Sequence, residues 1–273
     1  MPEQLTVPRL DKPDVAEFRR RFEKPGLPVV ITGAMKTWKA LQHWSIEYFA
    51  EHFGGEHLRV MTIGEELPAD GPITTEQVKR VKVTKVTMRD FMFDISSGKP
   101  LRYYVAGMPL QSDLPMLIDD IEMPVYRERG SAASPRIWLG ARVYGPLHYD
   151  QSDNLHGIVY GGKRFTLVPP SQLPYLYPCS MFSTIPHMSR ASLSKPDYVT
   201  FPRLRKARPI TVDLGPGDFL YLPAGWWHQV ATPSPTISID FPWQKDREIG
   251  RPFFRLIPYR VLRHVRGRMG YVK

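Results

Sequence analysis

The sequence predicts a mainly β fold with flanking helices, a double-stranded β-helix of the jelly-roll kind. From about Arg102 onward the chain breaks into short apolar runs closed by glycine or proline, the punctuation of a sandwich or barrel rather than of β-α-β units. The 28 prolines are scattered, which favours short strands and turns over long helices. His148, just past the end of one run, and His228, within a late one, stand eighty residues apart. A jelly roll brings such distant strands together at one mouth of the barrel.

In chain order, Val15 to Phe22 reads as a short helix, and Pro28-Val29-Val30-Ile31-Thr32-Gly33 as a strand bounded by glycine. Ser45 to Phe53 reads as a helix, because Ser45 suits an N-cap and Ile46, Phe49 and Phe53 share a face. His57-Leu58-Arg59-Val60-Met61-Thr62 reads as a strand and Thr87 to Ser96 as another helix. Residues 1–100 thus form a mixed α/β lead-in. The later strands are Ile137 to Tyr144, Leu155 to Tyr160, Arg164 to Val168, Ile210 to Leu214, Asp218 to Leu222, Trp226 to Ala231 and Thr236 to Phe241. They place a jelly-roll core over residues 101–243, with 244–273 as a basic, apolar C-terminal segment. The whole, 1–273, reads as a single domain.

At 31.4 kDa the chain is long enough to bury a substantial core. No apolar run approaches the roughly 20 residues needed to span a bilayer, so no membrane span is expected. Met1 to Thr6 lacks the layout of a secretion signal, and the single cysteine, Cys179, suits a reducing compartment. A cytoplasmic location is the expectation. From Gln244 to Lys273, nine Lys/Arg against Asp246 and Glu248 carry seven of the ten net positive charges. Such a block attracts nucleic acid, acidic peptide or an anionic surface, or it is a solvated basic helix whose apolar residues dock on the domain or on a second copy. Nothing resembles a P-loop, a GxGxxG turn or a nucleophile triad.

Of eight histidines only His148 has an acidic residue two places later, Asp150. Strand alternation aims both the same way. His228 closes Pro223-Ala224-Gly225-Trp226-Trp227-His228, after a turn and strand from Gly215 to Leu222. Two imidazoles and one carboxylate on one face of a metal leave the opposite face open, as in non-haem Fe(II) oxygenases. Plainer readings exist: a loop pair at a sheet edge for His148 and Asp150, and a core histidine beside two tryptophans for His228. His156, two places after Asn154, lines the cavity or packs. His43, His52, His57, His187 and His264 read as surface or packing residues.

The stretch His148-Tyr149-Asp150-Gln151-Ser152-Asp153-Asn154, then Gly161-Gly162-Lys163-Arg164-Phe165-Thr166-Leu167-Val168-Pro169-Pro170, resembles the JmjC/cupin-like (cupin-8) 2-oxoglutarate oxygenases. The similarity is closest to the branch of the asparaginyl hydroxylase factor inhibiting HIF. Pro196-Asp197-Tyr198 through Phe201-Pro202, Gly215-Pro216-Gly217-Asp218, Trp226-Trp227-His228, and the lead-in Pro28 to Gly33 with Trp38 and Trp44 match in order. The likeness covers roughly Pro28 to Trp243. It implies Fe(II) ligation by His148, Asp150 and His228. It implies that Lys163, fifteen positions after the first ligand, pairs with the distal carboxylate of 2-oxoglutarate. A buried ammonium needs a partner, and a dianion supplies one; otherwise Lys163 points outward from the Gly161-Gly162 turn. Tyr104 matches the tyrosine that donates to the same carboxylate. Tyr103 and Tyr104 face opposite ways on a strand, so only one can serve. Asn154 matches an asparagine near the cosubstrate.

Two positions depart from the pattern. Gly145 stands where the branch carries threonine. Asp240, in Ile237-Ser238-Ile239-Asp240-Phe241, stands where asparagine usually lies beside the metal-bound carboxylate. An ionised Asp240 would repel that carboxylate unless neutralised, and Arg142 is the partner considered. The resemblance implies an Fe(II)- and 2-oxoglutarate-dependent dioxygenase using O2, which hydroxylates a protein or peptide side chain with release of succinate and CO2. One alternative is an RNA- or tRNA-modifying oxygenase docking through residues 244–273. Another is a non-catalytic metal-binding scaffold. Hydroxylation versus demethylation stays open, and the C-terminal segment offers a homodimer contact.

Overall fold

Polar and apolar residues alternate along the central strands, and that alternation decides what each face of the sheet meets. The computed structural model of the chain describes residues 6–62, 72, 74, 81–99, 103–127 and 133–243. Among these, thirteen strands form two sheets. The larger runs, in spatial order, β1 (Arg9–Asp11), β2 (Val29–Thr32), β11 (Phe219–Leu222), β8 (Asp153–Tyr160), β13 (Thr236–Trp243), β6 (Arg136–Gly140), β5 (Tyr103–Pro109), β3 (His57–Thr62) and β4 (Lys82–Thr87). The smaller runs β10 (Ile210–Leu214), β9 (Lys163–Val168), β12 (Trp227–Thr232) and β7 (Val143–Tyr149). Their pairings are antiparallel, except for β1 with β2.

On β8 and β13 nearly every residue is buried, as expected of strands covered on both faces. Leu155, Val159, Ile237, Ile239 and Phe241 share a core with Phe18, Trp38, Phe49 and Phe91 of the lead-in. Those aromatics come from or adjoin the helices α1 (Val15–Phe18), α2 (Lys39–His43), α3 (Ile46–His52) and α4 (Met88–Ser96). The intervening residues Asn154, His156, Ser238 and Asp240 therefore face the smaller sheet. Ile158, Leu220, Phe165, Leu167, Val212 and Leu214 form a second core between the sheets. A third, with Leu147, Tyr149, Trp227, Leu176 and Tyr177, covers the outer face of the smaller sheet. The apolar half of each central strand lies under helices, and much of its polar half looks into the barrel.

The expected helix over Ser45–Phe53 forms as α3, with the Ser45 hydroxyl accepting from Tyr48 N at 3.1 Å. Thr87 caps α4 in the same way. The expected helix Val15–Phe22 is α-helical only through Phe18; Arg19–Glu23 widens into a π turn, with Lys24 N donating to Arg19 O at 2.8 Å. The expected strand Ile137–Tyr144 is two strands. Arg142 takes a φ of 54° and donates to the carbonyls of Lys99 and Ile95, which turns the chain between β6 and β7. His148 consequently lies inside β7, not past a strand end. Strands β1 and β4 had no counterpart among the expected strands, and β5 had one only at Tyr103 and Tyr104.

Lead-in strands flank the barrel core directly: β2 pairs with β11 and β3 with β5. At the β8–β9 turn Gly161 has φ +73°, and a Cβ there would lie 2.1 Å from the Pro235 carbonyl oxygen. Only glycine fits both demands, and this turn sets Lys163 onto the inner face of β9. No helix among the described residues is long and apolar enough to cross a membrane. The basic segment 244–273 lies outside the described residues.

Candidate metal centre

His148 and His228 are direct cross-strand partners on β7 and β12, with ring centroids 4.1 Å apart. Beyond them the register shifts, so that Val230 pairs with Gly145. A bulge of this kind re-aims side chains beside a site. Each imidazole is fixed from behind: His148 Nδ1 lies 2.7 Å from Pro146 O, and His228 Nδ1 lies 3.1 Å from Trp226 O. A carbonyl only accepts, so Nδ1 carries the proton and Nε2 keeps its lone pair for a metal. Asp150 follows β7, and its Oδ2 lies 3.9 Å from His228 Nε2. One ligand atom from each of the three lies within 4.8 Å of the others.

The turn carrying His228 is tied to this carboxylate's own backbone, since Gly225 N donates to Asp150 O at 2.8 Å. Asp153 accepts from Tyr221 Oη and Ala224 N, which holds the same turn. Burial pushes the His228 imidazole down to about 4, and the neighbouring His148 adds to that. Burial pushes the Asp150 carboxyl up, but His228, His148 and Arg136 outweigh it and hold it below the usual carboxylate range. A neutral imidazole and an ionised carboxylate are the forms that ligate a cation. Two Nε2 donors and one carboxylate on one side fit a first-row divalent ion, Fe(II) among them, with positions left for other ligands.

The remaining sequence-predicted residues lie on inner faces. Lys163 is 8% exposed and points into the barrel, not outward from its turn. Its Nζ lies 5.5 Å over the Trp138 ring and 3.3 Å from His156 Nε2. Burial lowers its ammonium to about 7, against an opposing pull from Asp240. Asn154 is buried; its Nδ2 donates to Asp240 Oδ2 at 2.9 Å, while its Oδ1 has no protein partner. Tyr103 turns outward, donating to Asp94 and packing on Phe91, so alternation leaves Tyr104 on the inner face. Burial raises the Tyr104 hydroxyl.

The partner of Asp240 is not the expected Arg142 but Arg136, its cross-strand neighbour on β6. Arg136 Nε donates to Oδ1 at 2.9 Å and Nη2 donates to Oδ2, a bidentate pair that cancels the charge of a carboxylate only 1% exposed. At Gly145 an added Cβ would meet Val230 Cβ at an ordinary 3.7 Å, so the missing side chain is not excluded by space.

Arg136 was not singled out in the sequence, and His187 was expected to be a surface or packing residue. His187 lies beside the triad: Tyr149 N donates to its carbonyl, and burial, reinforced by His148, pushes its imidazole down to about 4. Its approach depends on the bridge between His148 and Met188, which no local pattern announces. Arg136 could have been found by asking which residue two before Trp138 shares its face.

The profile of the Cupin-like domain family matches residues 15–248. Jumonji C domain-containing protein 5 of Drosophila melanogaster is 29% identical over 244 residues, 87% of this chain and 60% of that protein. Lysine-specific demethylase 8 of Xenopus tropicalis is 28% identical over 245 residues, 88% of this chain and 53% of that protein. The bifunctional peptidase and (3S)-lysyl hydroxylase JMJD7 of Homo sapiens is 27% identical over 285 residues, 93% and 89% respectively. The chain spans little more than half the length of the first two and most of the third. None of the three is named as an asparaginyl hydroxylase.

Proposed function

The chain belongs to the Cupin-like domain family, and we propose that it is an Fe(II)- and 2-oxoglutarate-dependent oxygenase acting on a protein or peptide side chain. One observation carries this reading: the cross-strand pair His148–His228, both Nδ1 atoms committed to carbonyls, with Asp150 beside them. Two of the relatives are named for lysine chemistry, demethylation in one and hydroxylation in the other, which supports a protein substrate.

When bound, Fe(II) couples decarboxylation of 2-oxoglutarate by O2, giving succinate and CO2, to oxidation of a substrate C–H bond. His148, Asp150 and His228 would hold the ion. Lys163 pairs with the distal carboxylate of the cosubstrate, for which its burial makes a counter-charge necessary. Tyr104 adds a hydroxyl donor from the opposing sheet, and Asn154 lines the same face. Asp240, neutralised by Arg136, exerts no repulsion on an arriving carboxylate.

The scaffold alternative rested on Gly145 and Asp240, and it loses its support at the second of these. The RNA and dimer alternatives rested on residues 244–273, outside the described region. Hydroxylation of a side chain and demethylation of an N-methyl group begin with the same C–H oxidation, so the substrate decides between them; hydroxylation is the reading adopted. The test is succinate release over candidate peptides and RNAs. Turnover with a peptide is expected, dropping to background in His148→Ala, while Lys163→Ala raises the KM for 2-oxoglutarate by about tenfold or more. Full turnover by a folded His148→Ala variant would refute the metal assignment.

A further inference from the structure

His156 is a buried polar residue that the proposed function leaves without a role. It lies on β8, opposite Asp240 on β13, with its ring edge-on to Phe165 at 5.2 Å and 6.4 Å from Trp138. An apolar side chain would suit that aromatic setting equally, so packing alone does not call for an imidazole. What the imidazole adds is Nε2, 3.3 Å from Lys163 Nζ. Among the described residues no carboxylate pairs with this ammonium.

An ammonium has only protons to offer, so His156 must be the acceptor, with its Nε2 lone pair free. Burial, then the cations Lys163 and Arg136 with the nearby His228, hold the imidazole well below its usual range, which favours its neutral form. We propose that His156 is a positioning residue for Lys163: it accepts one hydrogen bond from Nζ and holds the ammonium against Trp138, with its other protons free for a carboxylate. The inference rests on the proposed pairing of Lys163 with 2-oxoglutarate. A lysine stem held by an acceptor and an aromatic face has lost its rotamer freedom before the anion arrives, so less is lost on binding.

The experiment measures 2-oxoglutarate affinity by calorimetry on the full chain loaded with Mn(II), together with the ¹⁵N shift of His156 Nε2. In His156→Leu the affinity is expected to fall about tenfold, the effect of one lost hydrogen bond to a charged group, with Mn(II) affinity unchanged. In His156→Gln, whose Oε1 can replace Nε2 as acceptor, it is expected to recover to within about threefold of wild type. Lys163→Met is expected to move the Nε2 shift. Unchanged affinity in His156→Leu, or equal losses in the Leu and Gln variants, overturns the inference, while a loss in Lys163→Met still upholds the pairing beneath it. If the leucine variant does not fold, an Nε2 shift indifferent to Lys163→Met overturns the inference instead. Wild type that binds no 2-oxoglutarate, or binds it equally well in Lys163→Met, overturns the pairing and the inference together.

Discussion

Among single side chains, Lys163 and Asp240 pose opposite charge problems inside one barrel. Lys163 is desolvated with no carboxylate partner among the described residues, and its ammonium is lowered to about 7. Its charged form is the one that binds a carboxylate, so the sign is fixed. Affinity for 2-oxoglutarate should be flat below pH 7 and decline as pH rises above it, with proton uptake on binding. His156 is held below its usual range, so it adds no charge change above pH 7, and Asp240 is already paired with Arg136, so neither reverses that trend. Calorimetry at pH 8 in two buffers of different ionisation enthalpy reads the uptake; identical heats would contradict it. Asp240 has the converse arrangement. Arg136→Met would leave a buried carboxylate unpaired and should destabilise by about 3 kcal/mol, the low end for a broken buried pair because Arg136 is partly exposed. Adding Asp240→Asn should recover most of that in urea unfolding.

At the level of elements, turns decide where each side chain points. The β8–β9 turn needs Gly161 at φ +73° against the Pro235 carbonyl, so Gly161→Ala should lower stability by roughly 2 kcal/mol or more. Gly55→Ala, where an added Cβ meets nothing within 4 Å, should change little in the same thermal melt. Ser45→Ala should cost about 1 kcal/mol, because it removes the acceptor for Tyr48 N at the start of α3. The Ser45 cap was legible in the sequence, since cap chemistry is local, whereas Thr87 reads there as the first residue of its helix and not as the cap. The break at Arg142 was not legible. A non-glycine residue with positive φ inside an apolar run has no local signature, and its guanidinium is held by carbonyls more than forty residues away.

For the whole molecule, the lead-in and the barrel share one core. Phe18, Trp38, Phe49 and Phe91 cover the outer face of β8, β11 and β13. Residues 101–243 expressed alone would expose that face, and should aggregate or stay unfolded by circular dichroism and size exclusion. A folded monomer would show that the flanking layer is dispensable. The alternation in Ile237-Ser238-Ile239-Asp240-Phe241 is by itself equally compatible with a strand that has one solvated face. It is a strand with a polar face turned into a barrel, and only the second sheet distinguishes the two cases.

By itself the sequence carried His148, Asp150 and His228 as a candidate trio and most of the strands, because spacing, turn residues and period-two alternation act over a few neighbours; the inward lysine it carried only through the family resemblance. Only the tertiary structure decided that Arg136 neutralises Asp240, that His156 meets Lys163 and that His187 lies beside the triad. Those contacts join strands and loops that antiparallel pairing and sheet packing bring together, and no local pattern encodes which side chains will then face one another.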